Sequence, residues 1–185
     1  VTGLDAQQYQ TLQSWLAAGA VVDTQVVQAN ISEAQQISQW ETLLNSNGAR
    51  ATLVGRWLFE HLFIAHLYFD QGQSGHFFQL VRSRTPSGQP VDPIATRRPN
   101  DDPGNTFYYR LWPVQGVIVH KTHITYALST NKLARVKQLF YSGDWQVDAV
   151  PGYGPGRRAN PFATFAAIPA KARYEFMLDN AEYFV

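Results

Sequence analysis

The sequence predicts an α+β fold: several helices packed on a small, mainly antiparallel sheet, joined by long loops rich in Pro, Gly and Arg. Three observations predict it. Apolar residues recur at helical spacing in three segments between positions 5 and 69. The period then changes, after the glycines at 72 and 75, to runs of aromatic and β-branched residues at 76–83 and 106–112. Helical patterning returns from position 131, so the helices are segregated around the strands.

The elements follow in order. The first helix spans 5–16, with Asp5 as cap and Tyr9, Leu12, Trp15 and Leu16 in one apolar stripe; Gly19 stops it. The second runs from Ser32, a good N-cap, to about Asn45, with Ile37, Trp40, Leu43 and Leu44 inward. The third, 49–69, is apolar over most of its circumference and so central to the core. Val54, Trp57, Leu58, His61, Ala65 and Tyr68 share its broad face; Thr52, Arg56, Glu60, His66 and Asp70 lie opposite, with Phe63 and Leu67 among them. Strands follow at 76–83, at 106–112 (ended by Pro113) and at 116–125. A helix covers 131–141 with Leu133, Val136, Leu139 and Phe140 inward, and a closing helix covers 170–185. Two loops stand out, 85–105 and 150–161. A loop longer than about 15 residues without its own structure is usually functional or disordered.

Composition narrows the function. The 185 residues form one domain, or one plus an appendage; 45% are apolar and 16% charged, a globular balance. Fifteen Lys and Arg against fourteen Asp and Glu leave +1, which argues against nucleic acid as a partner. The absence of cysteine removes disulfides, Cys-ligated zinc, iron–sulfur clusters, a cysteine nucleophile and covalent c-type haem attachment within this chain. No stretch reaches the ~20 apolar residues of a membrane span; the closest, 57–69, is interrupted by Glu60, His61 and His66. The chain opens directly on a helix pattern, without a basic region and apolar run, and is expected to be a mature form or a piece of something longer.

Few residues carry chemistry by themselves. His61 lies on the apolar face of the third helix: either a core imidazole with its hydrogen bonds met, or a haem ligand or acid/base in a pocket. His66, near Arg56 and Glu60, reads as solvated or ion-paired. His120 and His123 invite a metal reading, but no Asp or Glu is close in sequence to complete it, and no metal site is expected. Arg82, Arg84, Arg97 and Arg98 occupy the first long loop and its approach, with several Asp. They either pair internally and pin the loop, or present guanidinium forks to a phosphate or carboxylate. The glycines at 152–156 lack the Lys-Ser/Thr signature of a phosphate loop. The 14% aromatic content suits core packing, a wall for an acyl chain, or a membrane-interface surface.

Several long segments resemble the fatty acid cis/trans isomerases of Gram-negative bacteria. They are Arg56-Trp57-Leu58-Phe59-Glu60-His61 continuing to Ala65-His66-Leu67-Tyr68-Phe69; Phe77-Phe78-Gln79-Leu80-Val81-Arg82-Ser83-Arg84-Thr85-Pro86; Ile94-Ala95-Thr96-Arg97-Arg98-Pro99-Asn100-Asp101-Asp102-Pro103-Gly104; Tyr108-Tyr109-Arg110-Leu111; and Ile118-Val119-His120-Lys121-Thr122-His123. Together they cover most of 50–140. The first helix is similar to the last helix of a c-type cytochrome domain. Family members carry a Cys-x-x-Cys-His haem site upstream, which this chain lacks.

The resemblance implies three segments: 1–20, the terminal helix of a cytochrome c-like domain; 21–48, a connecting helical segment; and 49–185, a family-specific α+β domain. It implies part of a periplasmic, haem-dependent isomerase that converts cis to trans double bonds in membrane phospholipid acyl chains, stiffening the membrane under stress. Haem c would be bound outside this chain, its iron weakening the π bond as an electrophile, and this chain alone would be inactive. Expected partners are phospholipid acyl chains, the membrane surface and the remaining domains of the parent. His61, His66, His120 and His123 are the catalytic candidates; Arg82, Arg84, Arg97 and Arg98 are the head-group candidates. A narrow, aromatic-lined apolar groove with a His near its mouth is expected. The alternative is a non-catalytic module that docks lipid or the cytochrome domain.

Overall fold

A computed structural model describes residues 3–20, 26–70, 75–116 and 124–184. Helix α1 (Ala6–Ala17) starts on a capping box, in which Asp5 accepts from the Gln8 amide while the Gln8 side chain accepts from the Asp5 amide. Gly19, at φ +88°, turns the chain out of it. Helix α2 (Ile31–Leu44) begins two residues earlier than expected. Asn30, not Ser32, is its cap, because Glu33 reciprocates the bond to form a second capping box.

Helix α3 (Ala49–Leu62) ends seven residues before position 69, where the sequence pattern suggested it would. Past Leu62 the chain turns and enters strand β1 (His66–Tyr68). There the buried residues Ala65, Leu67 and Phe69 alternate with half-buried His66 and Tyr68, a period of two. Strands β2 (Phe78–Ser83) and β3 (Tyr108–Pro113) pair antiparallel from Phe78↔Pro113 to Ser83↔Tyr108. Strand β4 (Thr125–Ala127) runs parallel to β1, from His66↔Thr125 to Tyr68↔Ala127. The sheet order is β3-β2-β1-β4, antiparallel except at its β1–β4 edge. Most of the expected third strand, 117–123, lies outside the described residues.

Helix α4 (Thr130–Tyr141) is capped by Ser129, with Leu133, Val136, Leu139 and Phe140 buried as expected. The second long loop carries two short helices, α5 (Pro155–Arg158) and α6 (Pro161–Thr164). The expected closing helix is broken at Asn180 into α7 (Ala170–Asp179) and α8 (Ala181–Phe184). The break has a local cause: the Asn180 side chain is buried, accepting from the Tyr126 hydroxyl and Lys132 and donating to the Phe176 carbonyl.

One core joins α2, α3, the sheet, α4 and α7. Helix α3 runs through it, with Leu53 and Val54 fully buried. Gly55 sets the spacing of α2 and α3. A Cβ there would lie 2.6 Å from the Leu44 carbonyl oxygen, closer than carbon and oxygen approach, so only glycine permits this crossing.

Three buried arginines hold the loops against this core. Arg110 (β3) donates through Nε to both Glu41 oxygens at 3.0 Å and through Nη1 to the carbonyls of Thr85, Pro86 and Gln89. Glu41 also accepts from Ser87 and the Leu111 amide, so a buried pair has its remaining valences met. Arg56 (α3) pairs with Glu60 at 2.7 Å, donates to the carbonyls of Pro151 and Gly152, and stacks 4.0 Å from Tyr153. The sequence placed Arg56 opposite the broad apolar face of this helix; it is only 2% exposed, because the second long loop folds down over it. The third arginine is Arg82, and it builds the site.

Candidate functional site

The first long loop is not free. Its segment 92–94 lies along the edge of β2: the Arg84 amide donates to Asp92, and the Ile94 amide to Arg82. Residues 96–101 then close as a compact turn. Arg82 Nη2 donates to Thr96 Oγ1 at 2.6 Å, and Thr96 Oγ1 in turn donates to the Arg98 carbonyl at 2.9 Å. Arg82 Nη1 donates to the Asp101 carbonyl at 2.8 Å. The Asp101 carboxylate accepts the Arg98 amide on one oxygen and Arg158 on the other.

Between this turn, β2 and the end of α3 opens a recess of about 220 Å³. Phe59 and Phe63 from α3, Leu80 from β2, and Ile94 and Pro99 from the loop make its apolar walls; Arg82, Arg97 and Arg98 also line it. The three arginines differ. Arg97 and Arg98 are exposed, and neither guanidinium makes an ion pair among the described residues. Arg82 is 2% exposed. It has no carboxylate within ion-pair distance among the described residues; its partners are a carbonyl, a hydroxyl and the face of Phe59 at 4.9 Å. Its Nε is buried with no acceptor. A buried cation held only by neutral groups is costly unless something else supplies the opposite charge.

His61 lies elsewhere. Two residues on a helix turn through roughly 200°, so His61 faces away from the Phe59 side of α3. It stacks on Trp57 at 3.9 Å between centroids, with Phe176 at 5.8 Å and Phe165 at 6.4 Å. Its Nδ1 lies 2.7 Å from the Trp57 carbonyl, which can only accept, so Nδ1 carries the proton. Burial pushes the imidazole pKa below its ordinary value, against the opposing pull of that carbonyl. The ring is therefore neutral at pH 7. Its Nε2 has no hydrogen-bond partner among the described residues, and its lone pair is available to accept a proton or a metal.

The other candidates are dispersed. His66 is on β1, half-buried, with its ring edge-on to Phe77 at 6.2 Å. Arg84 is apart from the recess, in a surface ion pair with Asp92 at 3.0 Å. His120 and His123 lie outside the described residues. Among the described residues no three His, Asp or Glu side chains converge as metal ligands. Thus the structure brings Arg82, Arg97 and Arg98 together, and places neither His61 nor Arg84 beside them. The second histidine-bearing contact missed from sequence is His76 Nδ1, 3.0 Å from the buried Glu33 carboxylate; nothing in its short context signals it. Thr96 was missed as well: its role depends on a loop that doubles back on β2.

No curated protein and no solved structure matches the chain. The model of one family does, that described as fatty acid cis/trans isomerase (CTI), and it matches residues 1–185, the whole sequence. With the family's description covering every residue from which the recess and the His61 nest are built, the chain belongs to the fatty acid cis/trans isomerase family.

Proposed function

We propose that this chain is part of a haem-dependent, periplasmic isomerase that converts cis double bonds in membrane phospholipid acyl chains to trans. The observation that carries the substrate is the recess: aromatic and aliphatic walls suited to hydrocarbon, with unpaired guanidiniums at the same opening. Ligand sites are mostly apolar with a few placed polar groups, and this one has that balance. At about 220 Å³ it is smaller than a pocket that encloses a whole ligand, so it grips a segment of chain rather than an entire lipid.

Covalent c-type haem does not fit within this chain. Thioether attachment needs cysteine thiols, and the sequence has none; His61 does not line the recess. On this reading the porphyrin is carried by polypeptide outside these residues. What these residues contribute is binding, orientation and exclusion of water. Phe59, Phe63 and Ile94 desolvate the acyl segment. Arg97 and Arg98 fix the head group, and through it how far the double bond reaches beyond the recess.

The test is an isomerisation assay on the parent protein with cis-unsaturated phospholipid vesicles. Arg97→Ala/Arg98→Ala should reduce kcat/KM roughly tenfold or more, the loss of one or two charge-assisted contacts. An unchanged rate in a well-folded variant would remove the recess from the reaction.

A second reading, a docking module without catalytic residues, is favoured by α1. That helix buries no residue, and its stripe of Tyr9, Leu12, Trp15 and Leu16 is 40–56% exposed. Sedimentation with liposomes separates the two: binding lost on Leu12→Asp/Leu16→Asp and kept on Arg97→Ala/Arg98→Ala supports docking through α1.

A further inference from the structure

We infer that the recess selects lipids with a net negative head group over zwitterionic ones; the choice of a lipid as ligand rests on the isomerase reading above, whereas the preference for negative charge rests on the site itself. Three arginines line one small recess, and the carboxylate of the same turn, Asp101, is already bound to Arg158 and the Arg98 amide. The charge on Arg82 is set in the floor with neutral partners only, and its Nε finds no acceptor. The protein thus leaves positive charge unbalanced at a buried position, where it is weakly screened, and adds two exposed arginines above it.

An anion over the turn answers all three. A phosphate with no balancing amine gains the full field. In a choline or ethanolamine head group the ammonium is carried into the same field and opposes binding. The apolar walls add the second requirement. A free anion gains nothing from Phe59, Phe63 and Ile94, and an uncharged amphiphile gains nothing from the arginines. The ligand class is therefore an anionic amphiphile, its phosphate or carboxylate at Arg97 and Arg98 and the first part of its tail between the two phenyl rings.

The turn that carries the arginines is held rigid for this purpose. Arg82 reaches Arg98 through a single hydroxyl, Thr96 Oγ1, so the buried cation also sets the backbone from which Arg97 and Arg98 project. Positioning by a fixed element reduces the ordering cost of binding.

Binding can be measured on this 185-residue chain without turnover. Dodecyl phosphate, dodecyl maltoside and inorganic phosphate are titrated separately, below micelle formation for the two detergents, and the amide resonances of 94–99 are followed. Dodecyl phosphate should saturate these resonances at least tenfold more tightly than either of the others. Arg97→Ala/Arg98→Ala should remove that preference while keeping the wild-type melting curve. Phe63→Ser should weaken dodecyl phosphate and leave inorganic phosphate unchanged. Vesicles of phosphatidylglycerol should then bind more tightly than vesicles of phosphatidylcholine, with an advantage that shrinks as salt rises.

Equal binding of dodecyl maltoside and dodecyl phosphate would overturn the charge preference. Inorganic phosphate binding as tightly as dodecyl phosphate would show an anion site with no place for a tail, and would overturn the lipid assignment. Resonance changes confined to α1 would place the amphiphile elsewhere. Selective binding in a protein whose parent leaves cis chains unchanged would sink the isomerase reading and keep this site.

Discussion

The two sides of α3 are made from the same kinds of residue and do different work. On one side Trp57 packs against Phe140, Phe165 and Phe176, and His61 lies on it, its Nδ1 bonded to a carbonyl of the helix itself. On the other, Phe59 and Phe63 face an open recess also lined by Arg82, a buried cation with no carboxylate at ion-pair distance among the described residues. The first side is closed and uncharged, though the buried Trp57 indole N–H has no acceptor among the described residues; the second is open and carries an unbalanced charge. Stability concentrates where aromatic rings pack densely without charge, and binding where a buried charge is left without its opposite.

The sharpest way to break this contrast is to empty the closed side. Trp57 is 6% exposed and touches four aromatic rings. Trp57→Ala should destabilise the fold by about 3–5 kcal/mol, the usual cost of truncating a core aromatic. Phe63→Ala, on a half-buried residue of the open side, should cost well under half of that. Urea unfolding of both variants measures the difference. Equal losses would mean that the recess wall is as much a part of the core as the Trp57 nest.

Next is the incomplete charge. Arg82→Met keeps an unbranched apolar stem, removes the buried cation, and cuts the bonds to Thr96 and the Asp101 carbonyl. Losing two hydrogen bonds is worth about 1–3 kcal/mol, and relief of the desolvated charge offsets part of it. We expect a net destabilisation of about 1 kcal/mol. The amides of 96–101 should also exchange faster, because the turn loses its anchor. A variant more stable than wild type, with exchange unchanged, would show that Arg82 is held against the fold's interest by something other than the turn.

How much of this contrast could be read in advance varies with distance along the chain. Helices α1, α2 and α4 were legible because apolar spacing is local, and Asp5 was legible as the cap of α1; the cap of α2 was misplaced at Ser32 and Ser129 was not read as a cap, because Ser, Asn and Asp near a helix start compete for the same role. The end of α3 was not. Phe63 to Phe69 is apolar enough to continue a helix, and its alternation became decisive only through pairing with β2 and with β4, 59 residues later in register. That tertiary pairing overrode the helical reading. The candidate site divides the same way. The four arginines were visible as a group, yet only their folding partners separated Arg84 at the surface from Arg82 in the floor. His61 was visible as a histidine on an apolar face; its tautomer follows from the Trp57 carbonyl one turn back, while the rings of Phe165 and Phe176 that close over it lie more than 100 positions away.

The smallest effect tests the balance of the closed side. The folded-state pKa of His61 lies below its ordinary value of 6.5, because burial disfavours the charged ring. As pH falls through about 6.5, the unfolded chain takes up this proton first. Stability from this residue is therefore intact above that point, is lost between it and the lower folded value, and then levels off. His61→Gln keeps a donor for the Trp57 carbonyl and cannot titrate. Comparing urea midpoints at about pH 7.5 and about pH 5.5 should show a larger drop in wild type than in His61→Gln, after the carboxylates common to both cancel. Parallel drops would mean that His61 meets water freely when protonated. The aromatic nest would then be no more closed than the recess behind it, and the division between the two sides of α3 would rest on Arg82 alone.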